Sequence, residues 1–272
     1  MAIYHLSVKI VSRNQGRSSV GAAAYRAGEK LYNEYDGVTH DYTNKSGILH
    51  SEILLPQNAP PEFSDRETLW NAAEQAEKRK DSQTAREIEI ALPRELSLDK
   101  QIQLVRDYVN DNFTSKGMCA DVAIHSGHRH RQDEQCIESK SDNNITPNNP
   151  HAHILLTTRP VDKDGFSVKK NRDWNKKENL YLWREQWAKA QNREFERRGI
   201  NARVSHESHA KRGLEQEPTI HLGHKAAALE KRGIRTERGN KNREIKERNR
   251  QQEQEKIREQ EKIREQEHAR SK

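Results

Sequence analysis

Between residues 151 and 158 the chain reads HAHILLTT, and no other stretch restricts the fold so tightly. Successive side chains of a strand point to opposite faces, so His151 and His153 share one face while Ala152 and Ile154 share the other. The apolar run that follows marks an inner strand. Two neighbouring imidazoles on an inner strand need a partner, and a metal ion is the commonest one. The segment therefore calls for a sheet with one apolar and one partly polar face.

Further strands are legible. Residues 3–11 are β-rich and alternate, and 48–55 reads as a strand ended by Pro56. Over 85–92 the alternation is clean, with Ile88, Ile90 and Leu92 on one side and Glu87 and Glu89 on the other. Residues 119–125 form another strand, ending at His125. Helical periodicity fills the intervals. Ser18 or Ser19 caps a helix carrying Tyr25, and Ser64-x-x-Glu67 is a capping box ahead of Leu69, Ala73 and Ala76. Ser97 caps a helix with Leu98, Ile102, Val105 and Val109 on one face, stopping near Gly117. A turn at 162–165 precedes an amphipathic helix bearing Leu180, Trp183, Trp187 and Ala190, closed by Gly199. The order β-α-β-α-β-α-β-β-α predicts an α+β fold built on an antiparallel sheet.

Apolar residues are 31% of the 272, too few for a core spanning the whole chain. The deficit is local. Past about residue 224 Lys, Arg, Glu and Gln dominate, and EKIREQ occurs at 255–260 and again at 261–266. Six residues advance about 600° around a helix, so Ile257 and Ile263 do not share a narrow seam. A solvated charged helix is expected there, not a coiled coil, which gives a domain over 1–223 and a charged extension over 224–272.

Lys and Arg number 49 against 42 Asp and Glu, and the net charge of +7 favours a polyanionic partner such as nucleic acid. No stretch approaches bilayer length, and the opening residues lack the basic-then-apolar pattern of a secretion signal. A cytoplasmic protein without membrane insertion is expected. Two cysteines, Cys119 and Cys136, exclude a disulfide framework and an all-cysteine zinc site.

His125, at the end of a neighbouring predicted strand, is placed to add a third imidazole to His151 and His153. A rival pair, His128 and His130, sits in the polar stretch 126–150, but the flanking Arg129 and Arg131 repel a metal and suit phosphate contacts instead. Tyr25 is the candidate nucleophile. A phenol oxygen can attack a phosphodiester and conserve the bond as an ester, and the small residues before it leave room for a nucleic-acid backbone. An unperturbed phenol, with a pKa near 10, needs a base or a metal to react at neutral pH. Glu87 and Glu89 are candidates to complete the metal shell, orient a histidine or accept the proton.

The sequence resembles the MobA/MobL family of plasmid mobilisation relaxases, within the HUH nucleases named for a histidine-hydrophobe-histidine motif. The resemblance rests on IYHLSVKIVSR, SVGAAAYRAGEKL with Tyr25, HDYTNKSGILHSEILLP from His40, AREIEIALP from Ala85, NPHAHILLTTR from Asn149 and RVSHESHAKRGLEQEPTIHLG from Arg203. These segments occur in order across residues 1–223. The middle residue of the motif is here the small Ala152.

The resemblance implies an HUH relaxase fold, a central antiparallel sheet flanked by helices. It implies Tyr25 as nucleophile and His125, His151 and His153 as the metal triad, with Mg²⁺ or Mn²⁺ bound. The implied activity is strand-specific nicking of single-stranded DNA at a plasmid origin of transfer through a covalent 5′-phosphotyrosine, with later religation during conjugation. Arg13, Arg17, Arg26, Lys45, Arg129 and Arg131 are the expected DNA contacts. Accessory relaxosome proteins and a secretion coupling protein are the expected protein partners. Replication initiators and single-strand transposases share the chemistry, but there the histidine motif precedes the tyrosine. A basic scaffold protein without catalysis leaves the His-x-His strand unexplained.

Overall fold

The computed structural model describes residues 4–127, 149–208 and 211–270. Contacts divide it into two compact units, Met1–His206 and Glu207–Lys272. The first unit contains β1 (Leu6–Ser12), α1 (Ser19–Ala27), β2 (Lys30–Asn33), β3 (Val38–Asp41), β4 (Ile48–Leu54), α2 (Arg66–Gln75), β5 (Gln83–Ala91), α3 (Leu98–Asn112), β6 (Ala120–His125), β7 (His151–Thr157), β8 (Val161–Asp162), β9 (Gly165–Phe166) and α4 (Lys177–Arg197). The second contains α5 (His224–Lys231) and α6 (Glu237–Arg270).

Five strands pair in the order β1-β5-β7-β6-β4, every neighbour antiparallel. The histidine strand β7 stands in the middle, as its apolar run requires. On one face Ile88, Ile90, Val122, Ile124, Ala152 and Ile154 pack under α3 and α4, against Val105, Tyr108, Trp183 and Trp187. Fully burying an aliphatic side chain such as Ile154 contributes about 1.5–3 kcal/mol. On the other face Val11, Ala85 and Leu155 meet Val20, Ala23, Leu69 and Trp70 from α1 and α2. Arg66 of α2 pins that layer to the sheet through Asp121, at 2.8 and 3.0 Å, and Trp70 donates to the same carboxylate at 2.9 Å.

The α+β architecture with its flanked antiparallel sheet is the one expected, with local differences. Ser18 is the cap of α1, accepting from the Gly21 amide at 2.9 Å. The cap of α2 is Asp65 rather than Ser64: Asp65 accepts from the Thr68 amide, while a preceding 3-10 turn turns the Ser64 hydroxyl back to the Pro61 carbonyl. Ser97 stands at the cap of α3 but makes no side-chain capping bond. The hairpin β2–β3 was not anticipated, although Asp36-Gly37 is a turn signal and Gly37 takes φ 71°.

In the second unit Glu230 closes the α5–α6 turn. It accepts from the Thr236 amide at 2.6 Å and hydroxyl at 2.8 Å, and from Arg243 at 2.7 Å. Two asparagines of α6 grip the preceding extended segment. Asn242 exchanges a pair of 2.8 Å hydrogen bonds with the Ile220 backbone, and Asn249 does the same with Glu217 at 2.9 and 2.8 Å. This grip joins residues 217–220 to α6, and the unit begins at Glu207, ahead of the compositional break at 224. Ile257 and Ile263 are half exposed, at 48% and 49%, in keeping with their failure to share a seam. Among the described residues no helix is long and apolar enough to cross a membrane.

Candidate metal centre and nucleophile

The register of β6 against β7 sets His125 directly opposite His151, with Ala123 opposite His153. Because residues two apart share a face, all three imidazoles converge. Their ligand atoms lie within 4.8 Å of one another, and the ring centroids are 4.8, 5.0 and 5.4 Å apart.

Each ring is oriented by a fixed oxygen. His153 Nδ1 donates to Glu87 Oε1 at 2.9 Å, His151 Nδ1 to the Asn149 carbonyl at 2.8 Å, and His125 Nε2 to the Arg26 carbonyl at 2.8 Å. A neutral imidazole that donates through one nitrogen carries its lone pair on the other, the arrangement that second-sphere oxygens impose on metal ligands. Burial pulls His125 down to about 4 against the Arg26 hydrogen bond, and the Lys45 charge acts in the same direction as burial. His125 is therefore neutral near pH 7. Three nitrogen donors in this geometry fit a divalent cation, with further positions left to oxygen ligands.

Behind the histidines lies Glu87, buried on β5. Burial alone would raise its carboxyl, but the His153 hydrogen bond, followed by the charge and hydrogen bond of Arg26, outweighs that and holds it well below the usual carboxylate range. Arg26 donates through Nε at 2.9 Å, and Arg17 approaches the second oxygen at 3.7 Å. Glu87 thus orients a histidine and is a weak base. Glu89, two residues on, lines the cleft; burial raises its carboxyl, and Lys9 at 3.0 Å more than offsets this.

Tyr25 projects from the last turn of α1 and is 45% exposed. It lines two hollows. One, of about 840 Å³, also holds His125, His151, His153, Glu89 and Lys45. The other, of about 290 Å³, is walled by Arg17, Ser18, Gly21, His40 and Tyr42. The small residues ahead of Tyr25 serve packing more than access. Ala22, Ala23 and Ala24 are buried, and a Cβ on Gly21 would fall 2.9 Å from the His40 ring.

The expected DNA contacts divide. Lys45 and Arg17 face the two hollows. Arg13 does not fit that role, because its side chain is 6% exposed and committed to Glu74, to the Glu77 and Arg79 carbonyls and to the Tyr35 ring. Arg26 is likewise buried, held by Glu87 and by the Ala22 carbonyl at 2.6 Å. Both are structural cations: Arg13 ties the turn after β1 to the end of α2, and Arg26 fixes α1 against β5. Arg129 and Arg131, with the rival His128 and His130, lie outside the described residues. Sequence reasoning missed the contact between Lys45 and Tyr25, since nothing in the spacing of residues 20 apart in different elements signals it. It also missed Glu74, whose carboxylate receives the Ser19 amide and hydroxyl, each at 2.7 Å.

Comparison with known proteins agrees with the geometry. The MobA/MobL family pattern matches residues 17–232. The mobilization protein MobL of Acidithiobacillus ferridurans is 42% identical over 247 residues, covering 85% of this chain and 65% of that protein. The conjugal transfer protein TraA of Agrobacterium fabrum is 37% identical over 271 residues, covering 87% of this chain and 23% of that protein. The chain thus spans less than two thirds of either relative's length. A solved structure described as the molecular basis of vancomycin resistance transfer in Staphylococcus aureus is 36% identical, with a TM-score of 0.65 over 76% of this chain and 100% of the other. With the family pattern covering most of its length, this chain belongs to the MobA/MobL family.

Proposed function

We propose that this chain is the strand-transferring part of a plasmid mobilisation relaxase, which nicks single-stranded DNA at an origin of transfer and remains joined to the 5′ end. The observation that carries the reading is the convergence of three oriented imidazoles on one cleft with an exposed tyrosine.

The substrate strand lies in the cleft with a phosphodiester between Tyr25 and the histidines, steered there by Arg17, while Lys45 stays on the Tyr25 ring. His125, His151 and His153 would hold Mg²⁺ or Mn²⁺, which when bound offsets negative charge on the phosphate oxygens. Tyr25 attacks in line: its oxygen bonds to phosphorus, the bond from phosphorus to the 3′ oxygen breaks, and the phenol proton is lost as the 3′ oxygen gains one. The product is a 5′-phosphotyrosine. A 3′-hydroxyl attacking that ester reverses the step and reseals the strand without ATP. Glu87 takes no proton; it fixes the His153 tautomer through its Nδ1 hydrogen and locks Arg26 beneath α1. Glu89 adds negative charge at the metal side of the cleft. Relaxosome proteins and a secretion coupling protein are the partners this reading implies, in the cytoplasm.

The test is incubation with single-stranded oligonucleotides spanning candidate transfer origins, with and without Mn²⁺, resolved on a denaturing gel. A covalent adduct that needs the metal and disappears in Tyr25→Phe is the expected result. No adduct with any origin sinks the reading, and one that survives Tyr25→Phe moves the nucleophile to Tyr32, Tyr35 or Tyr42.

A further inference from the structure

An exposed tyrosine at the end of a helix ordinarily swings between rotamers, yet Tyr25 is held by three contacts from two residues. Tyr42 meets its ring edge to face, with centroids 5.2 Å apart and planes at 86°. The Lys45 ammonium sits over the same ring, 3.6 Å from its centroid. That ammonium also donates to the Tyr25 carbonyl at 2.7 Å, so one cation grips both the side chain and the backbone of a single residue.

The loop that delivers Lys45 is anchored at both ends. The Tyr42 amide donates to the Glu29 carbonyl at 3.1 Å, the Lys45 amide to the Tyr42 carbonyl at 2.9 Å, and the Ser126 amide to the Gly47 carbonyl at 2.9 Å. Gly47 takes φ 83°, and a Cβ there would meet the Ser126 hydroxyl at 3.2 Å, so the loop lies tight against the end of the histidine strand β6. Among the described residues Lys45 forms no ion pair; the partners named above are neutral. A half-buried cation spent on neutral groups leaves its charge available to whatever negative charge develops beside it. Burial, then the charge of Arg26, pulls Lys45 down to about 8, which leaves it mostly protonated at neutral pH.

We propose that Lys45 is a positioning residue for Tyr25, holding the ring for in-line attack and offsetting the phenolate charge in both cleavage and religation. This rests on Tyr25 being the nucleophile. In the forward step the ring oxygen loses its proton and bonds to phosphorus. In the reverse step a 3′-hydroxyl attacks, the bond from phosphorus to Oη breaks, and the phenolate leaves. The ammonium favours the charged ring in both directions. A lysine serving only as a phosphate contact would instead strengthen binding and leave the chemical step alone.

Single-turnover kinetics at saturating oligonucleotide separate the two roles. Lys45→Met, with Lys45→Gln in reserve should it fail to fold, is expected to slow cleavage and religation by about 10-fold or more, with oligonucleotide affinity changed by less than about twofold. Lys45→Arg, which restores a cation able to stack on the ring, is expected to recover most of the rate. An unchanged single-turnover rate, accompanied by weaker binding and a salt dependence shallower by about one charge, overturns the proposal and makes Lys45 a backbone contact. Peptide mapping of the adduct keeps the two readings apart: an adduct on another tyrosine is a failure of the nucleophile assignment, whereas one on Tyr25 with an unaltered rate is a failure of this proposal.

Discussion

Glu87 and Glu230 make nearly the same contacts in different surroundings. Each carboxylate takes an arginine and a second hydrogen-bond donor, Arg26 and His153 in the first unit and Arg243 and Thr236 in the second. Glu87 and Arg26 are buried in the sheet layer, at 3% and 7% exposure, whereas the Arg243 side chain is 45% exposed. The comparison shows that the cost of breaking an ion pair depends less on the pair than on where the abandoned partner can go. Arg243 can turn to water. Arg26 cannot, and His153 loses its orienting acceptor at the same moment.

The largest effect expected from this comparison is that of Glu87→Gln. Stranding Arg26 lowers unfolding stability by about 3–5 kcal/mol, read from urea midpoints. Replacing the carboxylate that accepts from His153 Nδ1 with an uncharged amide weakens Mn²⁺ binding by about 10–100-fold, read by calorimetry. If Glu230→Gln proves as damaging as Glu87→Gln, burial is not what distinguishes them. A second contrast sets packed against open backbone. Gly28 (φ 69°) and Gly233 (φ 78°) both adopt the left-handed conformation, but a Cβ on Gly28 would lie 2.4 Å from Ile48 Cδ1 while Gly233 faces nothing within 4 Å. Gly233→Ala is expected to cost about 1 kcal/mol and Gly28→Ala more, about 2–3 kcal/mol, by the same unfolding measurement.

The smallest expected effect belongs to Glu230 and is a matter of pH. The Arg243 hydrogen bond and those from Thr236 hold its carboxyl at about 2, below the ordinary carboxyl value of 4.5. A depressed carboxylate contributes stability that is present above 4.5 and lost as pH falls toward 2. The Thr236 amide resonance is therefore expected to move in that window. A midpoint near 4.5 would show that the turn does not hold Glu230 ionised.

Much of this was legible in the sequence, for a reason visible in particular residues. Period-two alternation over 85–92 and 151–158 fixes which side chains share a face, so Glu87, Glu89, His151 and His153 could be grouped before any pairing was known. Joining His125 to them needed only that β6 end beside the start of β7. The fates of Arg13, Arg26 and Lys45 were not legible. All three read as free surface cations, and what separates them is contact with Glu74, Glu87 and the Tyr25 ring, partners 61, 61 and 20 positions away. Charge counting sees the sign of a side chain and not the carboxylate that tertiary packing places against it. The β2–β3 hairpin was missed although its Asp36-Gly37 turn was in view, because its four-residue strands are too short for alternation to register.

The two asparagines of α6 carry a lesson in commensurability. Asn242 and Asn249 are seven residues apart, about 10.5 Å along a helix, and the residues they hold, Ile220 and Glu217, are three apart, about 10 Å along an extended chain. Two lattices with unrelated periods coincide at two points, as the scales of a vernier do. Because the side-chain amides mimic one strand edge and read only backbone, their own grip depends on the length of the segment and not on its side chains, although Glu217 adds an ion pair to Arg248. One residue inserted on either side would cancel the coincidence.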